Sequence, residues 1–182
     1  MRQVVLLGLV FLVPLALATW LYYGGRAFAP SARTNTGTLL EPIVNLRQVL
    51  PNSQAATLSE EHWLVLYLDE GPCGAACEDA LYVMRQTRLM LGREMTRVRR
   101  VFLHGEYPPD RVFIQREHPG LTTTRDGELA RLLEERRPAE LPPGGFYLVD
   151  PLGNLVMYFP PDIVPGDMVD DIEHLLEISH IG

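Results

Sequence analysis

The alternation of apolar and polar positions predicts several strands in the second and larger part of this chain. The strongest run is residues 62–69, which has the length of a strand and is apolar enough to be buried on both faces of a sheet. Residues 38–44, broken by Pro42, are typical of a short edge strand. Three further runs predict strands, the last two joined as a hairpin through Pro151-Leu152-Gly153-Asn154: 97–104, 146–150 and 155–159.

Apolar residues at helical spacing predict helices between and after these strands. The first helix follows Cys77 and ends at Gly92, the second covers 127–137, and the third covers 167–179. Strand, helix, strand, helix, hairpin and helix follow one another in that order. This order predicts an α/β fold with a mixed sheet flanked by helices.

The N-terminal segment from Val4 to Tyr23 is almost uninterruptedly apolar. A helix rises about 1.5 Å per residue, so a segment of this length spans roughly 30 Å of hydrocarbon. The aromatic residues at its far end suit the membrane interface. We therefore predict a transmembrane anchor in residues 1–23, and a signal peptide cleaved after Ala18 or Ala29 is the alternative.

The segment after the anchor, residues 24–37, is rich in glycine and small polar residues and predicts a linker. Residues 38–182 then form one folded domain. Because the apolar segment is N-terminal and resembles a signal, we expect an anchor in the inner (cytoplasmic) membrane with the domain in the periplasm. Disulfide bonds persist in that compartment.

The charge of the chain limits its partners. A net charge of −7, from 16 basic and 23 acidic side chains, gives no indication of nucleic-acid binding. Arginines nevertheless cluster between Arg85 and Arg100. They can dock an acidic partner protein, or they can stay solvated at the end of a helix and along a strand.

The two cysteines of the chain, Cys73 and Cys77, stand in a Gly/Pro-rich turn between the strongest predicted strand and the first predicted helix. If residues from about 75 onward are helical, positions four apart share one face. The sulfurs can then close a disulfide or hold a soft metal ion such as Cu(I). The alternative is that both cysteines are small buried residues with no chemical role.

We place Cys73 in the first turn of this helix, where the positive end of the helix dipole lowers the pKa of a thiol. Cys77, one turn later, is the resolving or co-ligand thiol. Four acids flank the pair and oppose thiolate formation, so no strong depression of the pKa is expected: Asp69, Glu70, Glu78 and Asp79. Asp69 is either a buried proton acceptor for the cysteines or a plain acid at the end of a strand.

Together with the motif Tyr147-Leu148-Val149-Asp150-Pro151-Leu152-Gly153, these residues give the chain a resemblance to the SCO/SenC proteins over about residues 38–180. That family has a thioredoxin fold and helps to deliver copper to, or to reduce the cysteines of, the binuclear copper site of cytochrome c oxidase. The resemblance implies a thioredoxin-like domain that assists oxidase biogenesis. It also implies an oxidase subunit or another assembly factor as the partner.

SCO proteins complete their copper site with a histidine about eight residues before the hairpin aspartate, and Pro142 stands at that place here. The chain therefore looks like a divergent relative that lacks this ligand. A proline there is similar to the thioredoxin arrangement, in which a cis-proline lies beside the redox pair. His104 is the candidate replacement ligand, because the carboxyl ends of parallel strands gather near the cysteine loop. A structural or solvated role is the alternative for His104 and the expectation for the other histidines: His62, His118, His174 and His180.

Three functions stay open at this point. In the first, the chain is a thiol-disulfide oxidoreductase in which Cys73 attacks and Cys77 resolves. In the second, it is a non-enzymatic Cu(I) metallochaperone that holds copper, its one expected cofactor or cargo, between the same sulfurs. In the third, it is an assembly scaffold whose cysteines are incidental.

Overall fold

The structure is a computed structural model that describes residues 12–14 and 35–179. The chain divides after Thr34, and the fold described below is that of residues 35–179. The predicted anchor and linker lie outside the described residues, apart from Leu12–Pro14 and the three residues before Thr38. Within the part of the chain that the structure describes, no helix has both the length and the apolar character needed to cross a bilayer.

The domain consists of six strands and six α-helices among the described residues 35–179, with one 3-10 helix at Gly92–Arg97. In chain order the elements are β1 (Thr38–Asn45), α1 (Leu46–Val49), α2 (Gln54–Leu58), β2 (Trp63–Asp69), α3 (Ala75–Met90), β3 (Val98–His104), α4 (Arg111–Glu117), β4 (Leu121–Thr124), α5 (Gly127–Arg136), β5 (Phe146–Val149), β6 (Asn154–Phe159) and α6 (Pro165–Ile178).

The strands form one mixed sheet in the order β1, β6, β5, β2, β3, β4. β2, β3 and β4 are parallel to one another. The remaining neighbours, β2 with β5, β5 with β6 and β6 with β1, are antiparallel. The predicted edge position of residues 38–44 is confirmed, because β1 ends the sheet on one side.

Helices cover both faces of this sheet and bury two apolar clusters. On one face, side chains of α3 and α6 such as Cys77, Leu81 and Ile172 pack against alternate residues of the strands. On the other face, α1, α2 and α5 pack against the residues in between, with Leu46 and Leu129 among them. Successive side chains along a strand point to opposite faces of the sheet. Because helices cover both faces, β2 is buried along almost its whole length.

The predicted hairpin is confirmed, and the structure shows what forms its turn. One oxygen of the Asp150 carboxylate accepts hydrogen bonds from the backbone N–H of Leu152 at 2.9 Å and of Asn154 at 2.8 Å. Gly153 has φ +86°, a left-handed conformation that favours glycine. The carboxylate therefore organises the turn between β5 and β6.

Four elements are absent from the sequence-based prediction: α1, α2, α4 and β4. α1 and α2 are only four and five residues long, so they show no helical periodicity. The sequence of β4 is Leu-Thr-Thr-Thr, which has no alternation of apolar and polar residues. α4 begins after Asp110, whose side chain accepts a hydrogen bond from the Phe113 N–H and caps the helix.

Candidate functional site: the Cys73–Cys77 disulfide

Cys73 and Cys77 are joined by a disulfide bond at the carboxyl end of β2 and the start of α3. The S–S distance is 2.00 Å and the Cα atoms are 5.1 Å apart. Cys77 belongs to the core between the sheet and α3 and is only 1% exposed. Cys73 is half-buried at the edge of the same core. The two sulfurs are thus bonded to each other but differ in their access to solvent.

The predicted position of Cys73 in the first helical turn is wrong. α3 begins at Ala75, with Gly74 as the N-cap residue in an extended conformation. The first helical hydrogen bond runs from the Glu78 N–H to the Gly74 carbonyl at 2.9 Å. Cys73 therefore precedes the cap, and Cys77 is the cysteine in the first turn, close to the positive end of the helix dipole.

The loop that carries Cys73 is held by its own backbone and by the loop after β3. The Asp69 carboxylate accepts a hydrogen bond from the Gly71 N–H at 2.9 Å. The Gly105 N–H donates to the Asp69 carbonyl at 3.2 Å. A Cβ atom on Gly105 would lie 2.5 Å from the Glu70 carbonyl oxygen, so the two loops approach more closely than a side chain allows.

The four acids that flank the cysteines in the sequence differ in their exposure to solvent. Glu70, Glu78 and Asp79 are exposed, and Asp69 is half-buried. Burial, together with the neighbouring Asp69 carboxylate, raises the pKa of Tyr67 well above its ordinary value. The phenol of Tyr67 is therefore neutral over the physiological range and is a hydrogen-bond donor at this end of β2.

His104 lies at the predicted carboxyl end of β3. It is the register partner of Asp69 on β2, which puts both side chains on the face of the sheet that α3 covers. The Nδ1 atom of His104 is 2.9 Å from the carbonyl oxygen of Gly105, and its ring contacts Phe102 at a centroid distance of 6.1 Å. Among the described residues, no group of three or more His, Cys, Asp or Glu side chains is arranged to hold a metal ion.

Pro142 does not match the thioredoxin arrangement expected from the sequence. The cis peptide bond in residues 35–179 is Glu41–Pro42, so the bond before Pro142 is trans. The Pro142 carbonyl accepts a hydrogen bond from the Tyr158 hydroxyl, which in turn accepts one from the Gly145 N–H at 3.0 Å. Tyr158 belongs to the core on the face opposite to Cys77, so this network braces the segment before β5 on the other side of the sheet.

Much of the predicted basic stretch is used within the domain. Three of its arginines donate hydrogen bonds to backbone carbonyls of other elements. Arg85 donates to the carbonyl of Glu117, at the end of α4. Arg88 donates to Val98 on β3 at 2.9 Å, and Arg97 donates to Leu176 on α6 at 3.1 Å. Arg100 is 3% exposed. These side chains serve the packing of helices on the sheet, and Arg93 and Arg99 are the exposed members of the stretch.

Sequence reasoning missed the part that Gly105 and Tyr67 play at the site. Gly105 permits the close approach of two loops, and the signal for it is a glycine directly after the last residue of a predicted strand. The side chains of Tyr67 and Asp69 point to the same face of the sheet, because the two residues are separated by one residue in a strand. That spacing was available in the sequence.

The family described as "Transmembrane-like, thioredoxin-like, C-terminal domain" matches residues 63–179. No curated protein sequence matches the chain significantly. Both cysteines, β2 and every later element of the sheet lie within the matched range.

Solved structures with a similar fold include several Sco proteins. The solution structure of apo Sco1 from Thermus thermophilus has a TM-score of 0.57 and 18% sequence identity, and the match covers 80% of this chain and 99% of that one. Arabidopsis thaliana ScoI with copper bound has a TM-score of 0.53 and 16% identity, covering 68% of this chain and 89% of that one. Yeast Sco1 with copper bound has a TM-score of 0.50 and 17% identity, covering 68% and 80%. The predicted thioredoxin-like mixed sheet flanked by helices is confirmed.

Proposed function

Because the chain belongs to the transmembrane-like, thioredoxin-like, C-terminal domain family, we propose that it is a membrane-anchored thiol-disulfide oxidoreductase that assists cytochrome c oxidase biogenesis. The observation that carries the proposal is the bond between a half-buried Cys73 and a fully buried Cys77 at the start of α3. Because solvent and a partner reach Cys73 more easily than Cys77, one cysteine can attack the partner disulfide while the other resolves the mixed disulfide.

The exchange reaction follows from that difference in access. In the reduced chain, the Cys73 thiolate attacks a disulfide of the partner, forms a mixed disulfide and releases one partner thiolate. The Cys77 thiolate then attacks the sulfur of Cys73, which breaks the mixed bond and releases the second partner thiolate. Two electrons pass to the partner, whose thiolates take up the two protons lost by the cysteines. The internal disulfide of the structure is the oxidised product, and a dithiol of the same compartment reduces it again.

The surroundings of the pair support separate roles for the two sulfurs. Cys77 lies in the first turn of α3, where unpaired backbone N–H groups and the helix dipole favour its thiolate. Burial of the same sulfur opposes ionisation. Cys73 lies outside the helix and is half-buried, so a partner can reach it, and the acids Glu70 and Glu78 close to it in the sequence are exposed. We assign attack to Cys73 on access and resolution to Cys77 on its position beneath it.

A second candidate function is the transport of Cu(I) as cargo between the same sulfurs. It is favoured by the similarity of the fold to Arabidopsis thaliana ScoI, a protein solved with copper bound. Two thiolates, freed by reduction of the disulfide, suit a soft ion that accepts few sulfur ligands. His104, on the same face of the sheet as Cys77, is the proposed additional ligand.

Titration with Cu(I) distinguishes the two candidates. The full chain, reduced and kept in a neutral detergent, is titrated with Cu(I) in competition with a chelator and is assayed separately for reduction of a peptide disulfide. The oxidoreductase is supported by disulfide reduction that both Cys73→Ser and Cys77→Ser abolish. Stoichiometric Cu(I) binding without such reduction supports the carrier instead. Normal oxidase assembly in cells that carry either variant leaves the scaffold as the remaining function.

The same proposal includes a location. We place the N-terminal segment in the inner membrane and the cysteine domain in the periplasm, as the apolar run from Val4 to Tyr23 suggests. A membrane-impermeant maleimide reagent tests it after mild reduction of whole cells with an opened outer membrane. Labelling at Cys73 in those cells supports a periplasmic domain, and labelling only after lysis contradicts it.

A further inference from the structure

Arg100 occupies a position in β3 that points into the core. Its neighbours at the same face of the strand are Val98 and Phe102, which are fully buried, and its register partner on β2 is Val65. The Arg100 side chain is itself only 3% exposed. Its Nη2 atom donates to the Pro119 carbonyl at 2.7 Å, whereas its Nε and Nη1 atoms have no hydrogen-bond partner in the structure.

The charges nearest to this guanidinium are of its own sign. Burial lowers the pKa of Arg100 to about 10, and the nearby Arg88 and Arg85 act in the same direction. The carboxylate of Glu117 is 2.8 Å from Arg116 and 3.6 Å from Arg85. Among the described residues, no carboxylate forms an ion pair with Arg100. A buried cation without a counter-charge is strongly unfavourable.

His118 adds a further unpaired nitrogen at the same place. It is the C-cap residue directly after α4, is 3% exposed and packs edge-on against Phe113 at a centroid distance of 5.1 Å. Its Nδ1 atom is buried without a partner, as is the Nε atom of Arg85. Burial, followed by the charges of Arg85 and Arg100, lowers the pKa of His118. A neutral imidazole still has one N–H to donate.

We propose that the Arg100 cluster, defined as Arg85, Arg100 and His118, binds one small inorganic anion such as chloride. The four unpaired nitrogens of these three side chains come from α3, from β3 and from the turn between α4 and β4. All four are sealed from solvent, so an occupant must be small. An anion accepts hydrogen bonds from each of them and supplies the counter-charge that Arg100 lacks.

The bound anion would connect the helix that carries Cys77 to the parallel half of the sheet. Arg85 belongs to α3, two turns after Cys77, and it also donates to the Glu117 carbonyl. Arg100 reaches the Pro119 carbonyl from β3. Two arginines therefore hold the segment Glu117–Pro119 by hydrogen bonds to its backbone carbonyls. The anion offsets the repulsion between the positive charges of these two arginines.

A bromide titration tests the site. The full chain in a neutral detergent is melted in increasing sodium bromide, with sodium gluconate, whose anion is too large to enter, keeping the ionic strength constant. We expect the melting midpoint to rise saturably with bromide. Arg100→Met should weaken this response at least tenfold. Arg99→Met, which removes the same charge from the adjacent exposed position on the other face of the sheet, should leave it unchanged.

A second measurement needs no variant. Crystals of the wild-type chain soaked in bromide should show one anomalous peak among Arg85, Arg100 and His118. A water molecule there without anomalous signal would overturn the proposal. So would equal melting midpoints in bromide and gluconate, or an Arg100→Met variant that responds to bromide as the wild type does.

Discussion

Cys77 is 1% exposed, whereas Cys73 is half-buried, and this difference between two bonded sulfurs decides which one a partner can reach first. The position of Cys73 relative to the helix was not predictable from spacing alone. A Cys-x-x-x-Cys pair fits a helix that starts at the first cysteine as well as one that starts two residues later. The extended conformation of Gly74 selects the second arrangement.

Gly105 is the residue whose replacement should disturb the cysteine loop most directly. In Gly105→Ala, the added methyl group would meet the Glu70 carbonyl oxygen at 2.5 Å. Because backbone rather than a flexible side chain must move, we expect a loss of about 1–3 kcal/mol in the free energy of unfolding. Chemical denaturation of the oxidised chain measures it.

Gly127→Ala is the matched control, since a Cβ there meets nothing within 4 Å. Its stability should be unchanged or up to about 1 kcal/mol higher. Equal stabilities of the two variants would show that the loops after β2 and β3 are not in close contact.

His118 should make stability depend on pH when halide is absent. Its pKa in the folded chain is lowered from 6.5 by burial and then by Arg85 and Arg100, against the opposite effect of Glu117. The unfolded chain therefore binds a proton more readily, and stability present above pH 6.5 is lost as the pH falls toward the lowered value. Melting midpoints in gluconate buffers should fall less steeply with acid for His118→Gln than for the wild type.

The exposed His174 provides the comparison for this pH dependence. His174→Gln should retain the slope of the wild type. If His118→Gln and His174→Gln follow the same curve, the imidazole of His118 does not cause the acid sensitivity.

At the scale of elements, Asp171 joins the start of the sheet to the last helix. Its carboxylate, on α6, accepts hydrogen bonds from the backbone N–H of Thr36 at 3.2 Å and of Gly37 at 2.7 Å. It is 4% exposed. Asp171→Ala leaves two backbone donors without a charged acceptor, so we expect a loss of about 2–4 kcal/mol in the free energy of unfolding.

Asp170→Ala is the control, because Asp170 is the exposed neighbour on the same helix. Its effect should stay within about 0.5 kcal/mol. Hydrogen exchange should show faster exchange at the start of β1 in Asp171→Ala only. An Asp171→Ala variant as stable as Asp170→Ala would mean that α6 does not secure β1.

The long elements of the fold were predictable from sequence because each contains a continuous run or stripe of buried apolar residues. β2 is buried from Trp63 to Leu68, and α3 shows an apolar stripe through Leu81 and Met84. α1, α2 and β4 are too short or too polar to show a period. The inward position of Arg100 was equally hidden, because an arginine in a strand is normally expected to face solvent.

At the scale of the whole molecule, one mixed sheet brings the cysteine loop, Asp69 and His104 to the same end of the parallel strands. This arrangement was predicted from the strand order, since carboxyl ends of parallel strands meet at one edge. The site thus depends on the fold for its assembly, and the redox function proposed for it depends on the unequal access of two sulfurs.

The most direct test of the redox function is to trap the mixed disulfide. The reduced full chain, in a neutral detergent, is mixed with glutathione disulfide and followed by mass spectrometry. Cys77→Ser should accumulate one glutathione adduct on Cys73, because no second thiol resolves it. Cys73→Ser should react at least tenfold more slowly, because Cys77 is buried. The wild type should pass through the adduct to the internal disulfide, whereas equal rates in the two variants, or a wild-type adduct that persists, would contradict the assigned roles of Cys73 and Cys77.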